Sequence, residues 1–289
     1  MLVQELLNAV LIGGIYAAIG IGFSLVYGVM NLLNLVHGAI IMLAGYVTYS
    51  LFARLGLDPF LSIPVTMGAF FVVGYGLQRF VINRILTASV FMSLILTYGI
   101  DLVIVNIVLL VWKTDLLAVT PSYAGASWAI GGLVVSKIRV AIFVVSAALT
   151  ALMYVFLDGT RTGRAIRAAA LDKEAAELVG VDTPGIYAVT YGLSSALAAA
   201  AGSMLATIYT LTPTLDGIYL GKAFVVAVLG GLGNITGAAV GGLVLSFAES
   251  LGVVVLGPSY QEIIGFGIFL VVLILRPYGL VGRRFYAEI

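Results

Sequence analysis

Between Leu6 and Ala53 the chain carries no Asp, Glu, Lys or Arg. A soluble fold has no means of covering so long an uncharged run with polar surface. A bilayer helix needs only about 20 apolar residues to cross a hydrocarbon core of roughly 30 Å. The run therefore holds two spans, with a break near Asn31 to Asn34. The rest of the chain agrees: 62% of its 289 residues are hydrophobic and 9% charged, against about 25% charged residues in soluble domains. Most of the outer surface must meet lipid.

Charge spacing divides the remainder. A third span is expected over Pro59 to Gln78, and a fourth over about Ala88 to Trp112, interrupted only by Asp101. A polar, aromatic connection with Lys113, Asp115, Pro121, Trp128 and Lys137 follows. The fifth span is Val140 to Leu157, and the sixth lies inside the uncharged run Thr183 to Leu215. Ala223 to Leu275 is too long for one helix and is cut by GGLGNITGAAVGG at Gly230 to Gly242. It reads as a short or half-length helix, a full span to about Leu256 and a last span from about Gln261 to Arg276. A membrane barrel would alternate apolar and polar residues over segments of about ten; AIFVVSAALTALMYVFL does not. The expected fold is all-α, a polytopic helical membrane protein with about eight transmembrane helices. At least one helix in the last third should be broken or half-length.

Several functions are excluded or disfavoured by what the chain lacks. A net charge of +1 gives no basic field for nucleic acid. With no cysteine there are no disulfides, thiolate metal sites or cysteine nucleophiles. The segment before the first apolar run has Glu5 and no basic residue, unlike a cleaved signal peptide, so that run is expected in the mature protein. No GxxxxGK[ST], HExxH or GxSxG occurs, which points away from a nucleotide site or an intramembrane hydrolase. His37, the single histidine, has no carboxylate at ligand spacing, so no metal is expected.

Lys and Arg accumulate on the cytoplasmic side of membrane proteins. Placing Arg79, Arg84, Arg161, Arg164, Arg167, Lys173, Arg276, Arg283 and Arg284 inside leaves Arg54, Lys113, Lys137, Arg139 and Lys222 outside. This requires an external N-terminus, and a crossing by the short segment at about Tyr219 to Asn234.

Polar side chains within spans normally turn toward the bundle interior. Asn31, Asn34 and His37 share a helical face if the helix is unbroken, as either a structural cluster or part of a substrate pathway. Asp101 is the deepest acid and Asn106 lies near it; Glu249 and Glu262 read as interfacial. Asn234 and Thr236 mark the glycine-rich break, where exposed backbone would line a path. Gly233, Gly237 and Gly241 recur every four residues, forming a stripe for close helix packing. The longest charged stretch, Asp158 to Asp182, favours helix and offers Ile166, Ala169, Leu171, Ala175 and Leu178 as an apolar face. It either connects two spans or presents a helix to a cytoplasmic partner.

Within that stretch Glu174, Ala175, Ala176 and Gly180 spell EAAxxxG, which resembles the coupling-loop motif of ABC importer permeases. The longer pattern's Ile and Leu-Pro are replaced here by Thr190, Gly192 and Leu193. NLLNLVHGAIIMLAGYV (Asn31 to Val47), TGRAIRAAALDKEAAELVGV (Thr162 to Val181), KAFVVAVLGGLGNITGAAVGG (Lys222 to Gly242) and LRPYGLVG (Leu275 to Gly282) resemble the permease subunits of branched-chain amino acid ABC importers, in the family's order. The resemblance implies one transmembrane permease domain over residues 1–289 and a multi-pass place in the bacterial inner membrane. It implies a second related permease, two ABC ATPase subunits that bind ATP and Mg, and a periplasmic substrate-binding protein delivering a small molecule. No cofactor in this chain and no catalysis by it are expected. The coupling helix would lie at about 159–182, with Gly163, Arg164, Arg167, Asp172, Glu174, Ala175, Ala176 and Gly180 meeting an ATPase. Similar permeases carry other amino acids, urea or small organic acids. An ion-coupled secondary transporter would instead need buried ion sites and inverted repeats, for which Asp101 is the only acid offered.

Because the chain has no cysteine, one introduced at Glu174 can be labelled selectively. A membrane-impermeant maleimide should reach it only from the cytoplasmic side; labelling from outside in intact cells would reverse the assigned orientation.

Overall fold

The computed structural model describes residues 2–85, 90–276 and 278–281. Ala88, Gly282, Arg283 and Arg284, used in the sequence reading, lie outside the described residues. Among the described residues, eleven α-helices follow one another: α1 (Leu2–Met30), α2 (Val36–Leu55), α3 (Pro59–Phe80), α4 (Val90–Trp112), α5 (Lys137–Gly159), α6 (Arg161–Leu171), α7 (Lys173–Leu178), α8 (Thr183–Leu205), α9 (Leu215–Gly230), α10 (Ile235–Leu256) and α11 (Gln261–Leu275). Among the described residues, eight segments, carried by α1 to α5, α8, α10 and α11, are long and apolar enough to cross a membrane. The protein is an all-α polytopic membrane protein.

The short helix expected in the last third is α9. Its 16 residues extend about 24 Å at the helical rise of about 1.5 Å per residue, less than a hydrocarbon core. Its direction follows from its neighbours. Lys222 lies against Tyr16, Val226 against Gly20 and Gly233 against Gly28, so α9 runs parallel to α1. α10 returns antiparallel, with Gly242 against Ala17 and Ser246 bonded to the Ala9 carbonyl. α9 thus runs in the direction that the additional crossing would need. Arg79, Arg84, Arg161, Arg164, Arg167, Lys173 and Arg276 collect at the Met30 end of α1.

α1 is the axis of the bundle and, like α8, is almost wholly enclosed. It packs on α5, α8, α9 and α10, while α3 lies along α8. α4 packs chiefly against α2, and α11 against α9 and α10; both expose most of their surface. Lipid tails are as apolar as leucine, so hydrophobicity alone does not join such helices; close approach and polar clasps do. The alanines Ala198 to Ala201 of α8 are fully buried. Thr48 of α2, Ser203 of α8 and Thr66 of α3 form a hydroxyl chain, with Oγ separations of 2.8 and 2.9 Å.

At the opposite end from Met30, an antiparallel hairpin pairs Ser127–Ile130 (β1) with Leu133–Ser136 (β2). Gln4 holds it through both hydrogen bonds of Val134, at 2.8 and 2.9 Å. Tyr123 donates to Asp58 at 2.6 Å; burial first, and this carboxylate second, push its phenol well above the ordinary tyrosine range.

A Cβ on Gly242 would lie 2.7 Å from the Ala17 Cα, whereas one on Gly76 of α3 would meet nothing within 4 Å. Gly242→Ala should therefore cost about 1–3 kcal/mol by overpacking and lower the melting temperature in detergent. Gly76→Ala should leave it unchanged or raise it. Equal melting temperatures for the two variants would contradict the close approach of α1 and α10.

Candidate functional site

The chain leaves helical geometry at three places beside the polar residues named above: after α1, between α8 and α9, and between α9 and α10. After Met30, Asn31 adopts φ 50°, and residues 31–34 are non-helical before α2 begins. Asn31, Asn34 and His37 therefore do not share one continuous helical face; the helix is broken between them. Asn31 is exposed, whereas Asn34 and His37 are buried. The Asn34 Oδ1 accepts from the Tyr191 hydroxyl at 2.8 Å and from the Val36 amide at 3.2 Å. His37 Nε2 lies 3.1 Å from the Ile19 carbonyl. A carbonyl only accepts, so Nε2 carries the proton. These bonds seat the start of α2 against α1 and α8.

The second break separates α8 from α9, where Leu211 and Leu117 bridge in β fashion. Asp216 opens α9, and Asp101 of α4 is buried within range of its like charge. Neither acid has a hydrogen-bond partner for its side chain among the described residues.

The third break is the glycine-rich turn. Gly231 and Gly233 have φ 97° and 80°, and a Cβ on Gly28 would lie 2.6 Å from the Gly233 Cα. Gly233 thus lies in the turn rather than on a helix stripe, while Gly237 and Gly241 of α10 press against the Gly230 end of α9. Asn234 caps α10, accepting from the Gly237 amide at 3.0 Å. Thr236 lines a groove of about 570 Å³ between α1, α5 and α10.

The most highly charged buried group was not found from the sequence. Lys222 of α9 donates to both Glu249 oxygens, at 2.7 and 2.9 Å, and to the Tyr16 hydroxyl at 2.6 Å. That hydroxyl donates to Glu249 at 2.7 Å, and Gln261 Nε2 donates to the same carboxylate at 2.8 Å. Lys222 is 8% exposed and Glu249 3%. Lys222 is thus no loop charge, and Glu249 no interfacial one. The signal was available: one isolated base and one isolated acid in neighbouring apolar runs must find each other or remain unpaired in lipid. The pair borders a cavity of about 190 Å³ that Glu262 and Phe266 also line. Among the described residues, no group of three His, Asp or Glu is placed to hold a metal ion.

At the Met30 end, α6 and α7 form an angular pair beneath the bundle. Thr160 caps α6 by accepting from the Gly163 amide at 2.9 Å, and Asp172 caps α7 by accepting from the Ala175 amide at 3.0 Å. Arg167 pairs with Asp158 at 2.6 Å. Ile166 and Ala169 are buried in the cluster that holds Leu25 and Val29 of α1. Ala176 is buried too, while Arg164, Glu174, Ala175 and Gly180 face outward. Of the apolar face that the sequence offers, Leu171, Ala175 and Leu178 are exposed together with Val179, Leu178 to 88%.

Comparison with known proteins places this architecture. The family model described as "Branched-chain amino acid transport system / permease component" matches residues 5–273. The chain belongs to this family. It is 34% identical to the high-affinity branched-chain amino acid transport system permease protein BraD of Pseudomonas aeruginosa, over 97% of this chain and 95% of that one. It is 31% identical to the permease protein LivH of Escherichia coli, with the same coverage. A probable LivH of Methanocaldococcus jannaschii is 28% identical over 95% of this chain and 91% of its own. No solved structure gives a significant match.

Removing one member of a buried ion pair strands the other, at a cost of about 3–5 kcal/mol, whereas apolar replacement of both is often neutral. Glu249→Gln should therefore lower the melting temperature in detergent more than the double variant Lys222→Met/Glu249→Met. The reverse order would show that the pair is not desolvated.

Proposed function

We propose that this permease forms one half of the translocation pathway of an ATP-driven importer for branched-chain amino acids in the bacterial inner membrane. Its other half is a second, related permease. Two ABC ATPases bind ATP and Mg on the cytoplasmic side, and a periplasmic binding protein delivers the substrate outside. The observation that carries this reading is the exposed apolar tip at Leu171, Leu178 and Val179, on helices fixed to α1. Apolar side chains beyond the membrane end of a bundle need a partner surface. The surrounding Arg164, Glu174 and Lys173 supply charges of both signs to orient it.

Gly163, Arg167, Asp172, Ala175 and Ala176 shape the helix pair that ATP binding and hydrolysis would displace; Glu174 and Gly180 meet the ATPase directly. The pathway is assigned to the side of α9, with Asp101 and Asp216 as polar groups offered to a passing solute. Thr236 offers a hydroxyl on the other flank. Asn31, Asn34, His37 and Asn234 serve the path by fixing the helix breaks beside it. Substrate preference follows the branched-chain systems to which the relatives belong.

Reconstituted with its partners, the complex should accumulate labelled leucine only with ATP. Glu174→Arg or Gly180→Arg should abolish uptake and weaken ATPase association while the permease still inserts. Unchanged uptake in both variants would remove α6 and α7 from the coupling role.

A further inference from the structure

The cavity beside the buried ion pair has a lining that the family assignment does not explain. Its polar wall is Lys222 and Glu249, with the exposed Glu262 beside them, and its apolar wall includes Val225, Leu245 and Phe266. Structural ion pairs can be sealed by packing; this one borders about 190 Å³ of open space.

We infer that this cavity is a transient binding site for a zwitterionic α-amino acid with an aliphatic side chain. The inference rests on reading the chain as an amino acid permease and names the residues that would read the substrate. Such a solute carries one positive and one negative charge on adjacent groups, and either alone is expensive to desolvate. The Lys222–Glu249 pair presents the complementary charges on one wall. The solute carboxylate takes a place beside the Lys222 ammonium, and its ammonium takes the carboxylates of Glu249 and the exposed Glu262. Its hydrocarbon chain meets Val225, Leu245 and Phe266. The existing pair competes with the ligand for each contact, because Lys222 already has both Glu249 oxygens and Tyr16 as partners. Binding is therefore weak, as release toward the cytoplasm requires when a separate protein supplies the affinity.

Gly217 makes a direct test possible. It lines the cavity in the first turn of α9, and a Cβ there meets nothing within 4 Å. Gly217→Leu fills the space without touching the ion pair, and leucine is the better helix former. The assembled transporter carrying this variant should form at wild-type yield yet take up labelled leucine at least tenfold more slowly. Lys222→Met/Glu249→Met, which removes both charges together, should do the same. In a thermal-shift assay on the wild-type complex, leucine should raise the melting temperature. Neither 4-methylpentanoate, which lacks the ammonium, nor 3-methylbutylamine, which lacks the carboxylate, should do so, and Gly217→Leu should abolish the leucine shift. Normal uptake with Gly217→Leu, or equal shifts with all three solutes, overturns the site while leaving the transport reading intact. Absence of ATP-driven leucine uptake by the wild-type complex overturns the transport reading and, with it, the site.

Discussion

Backbone amides and carbonyls in a bilayer have no water to turn to, so every break in a helix must be enclosed by protein. This constraint organises the molecule. The break after α1 is closed by Asn34 bonding to Tyr191 and the Val36 amide. The break after α9 is closed by Asn234 on the Gly237 amide and by Ser24 of α1, whose Oγ accepts from the Gly233 amide at 3.0 Å. The break before α9 is closed by bonding between Leu211 and Leu117. Irregular backbone is thereby gathered near the axis, and the uninterrupted helices α4, α5 and α11 are left on the outside.

Enclosure also explains how a lysine and a glutamate survive at depth. A lone charge there costs several kcal/mol, and the pair repays this only with good geometry and every remaining proton and lone pair engaged. Tyr16 and Gln261 supply those further bonds from α1 and from the start of α11. Four segments of the chain thus meet at one carboxylate, and the short helix α9 is fixed between α1 and α10 by charge as well as by packing.

Much of the fold was legible because a bilayer imposes a length on every span. The runs between Leu6 and Ala53, Pro59 and Gln78, and Val140 and Leu157 carry no charge, so their helices could be placed. The half-length helix was readable from the glycines after Leu229, but not its start, because Leu215 to Lys222 belongs by composition to either loop or span. The ion pair was missed for a related reason. Charge balance sets Lys222 on the outer side and nearness to a span end makes Glu249 interfacial; neither criterion says that the two side chains meet at 2.7 Å. The coupling segment expected as one helix over about 159–182 is two, because Asp172 ends α6 and caps α7. For the polar residues, sequence gave depth but not partners: His37 and Asn34 are absorbed by helix seating, and Asp101 is not.

The two parts of the candidate machinery are joined by one rigid element. Near its inner end α1 carries Leu25 and Val29, against which Ile166 and Ala169 of α6 are buried. Nearer its outer end it carries Tyr16, bonded to both Lys222 and Glu249. From Leu25 back to Tyr16 is about 14 Å of helix at about 1.5 Å per residue, with no proline along it. A helix so enclosed does not bend freely, and packed interfaces respond to displacement by switching between discrete arrangements. A push on α6 from below therefore cannot be absorbed locally without moving α1 against α9 or α10. Tyr16 is where that movement meets the ion pair, so the contact at the proposed substrate site lies on the helix that the motor would move.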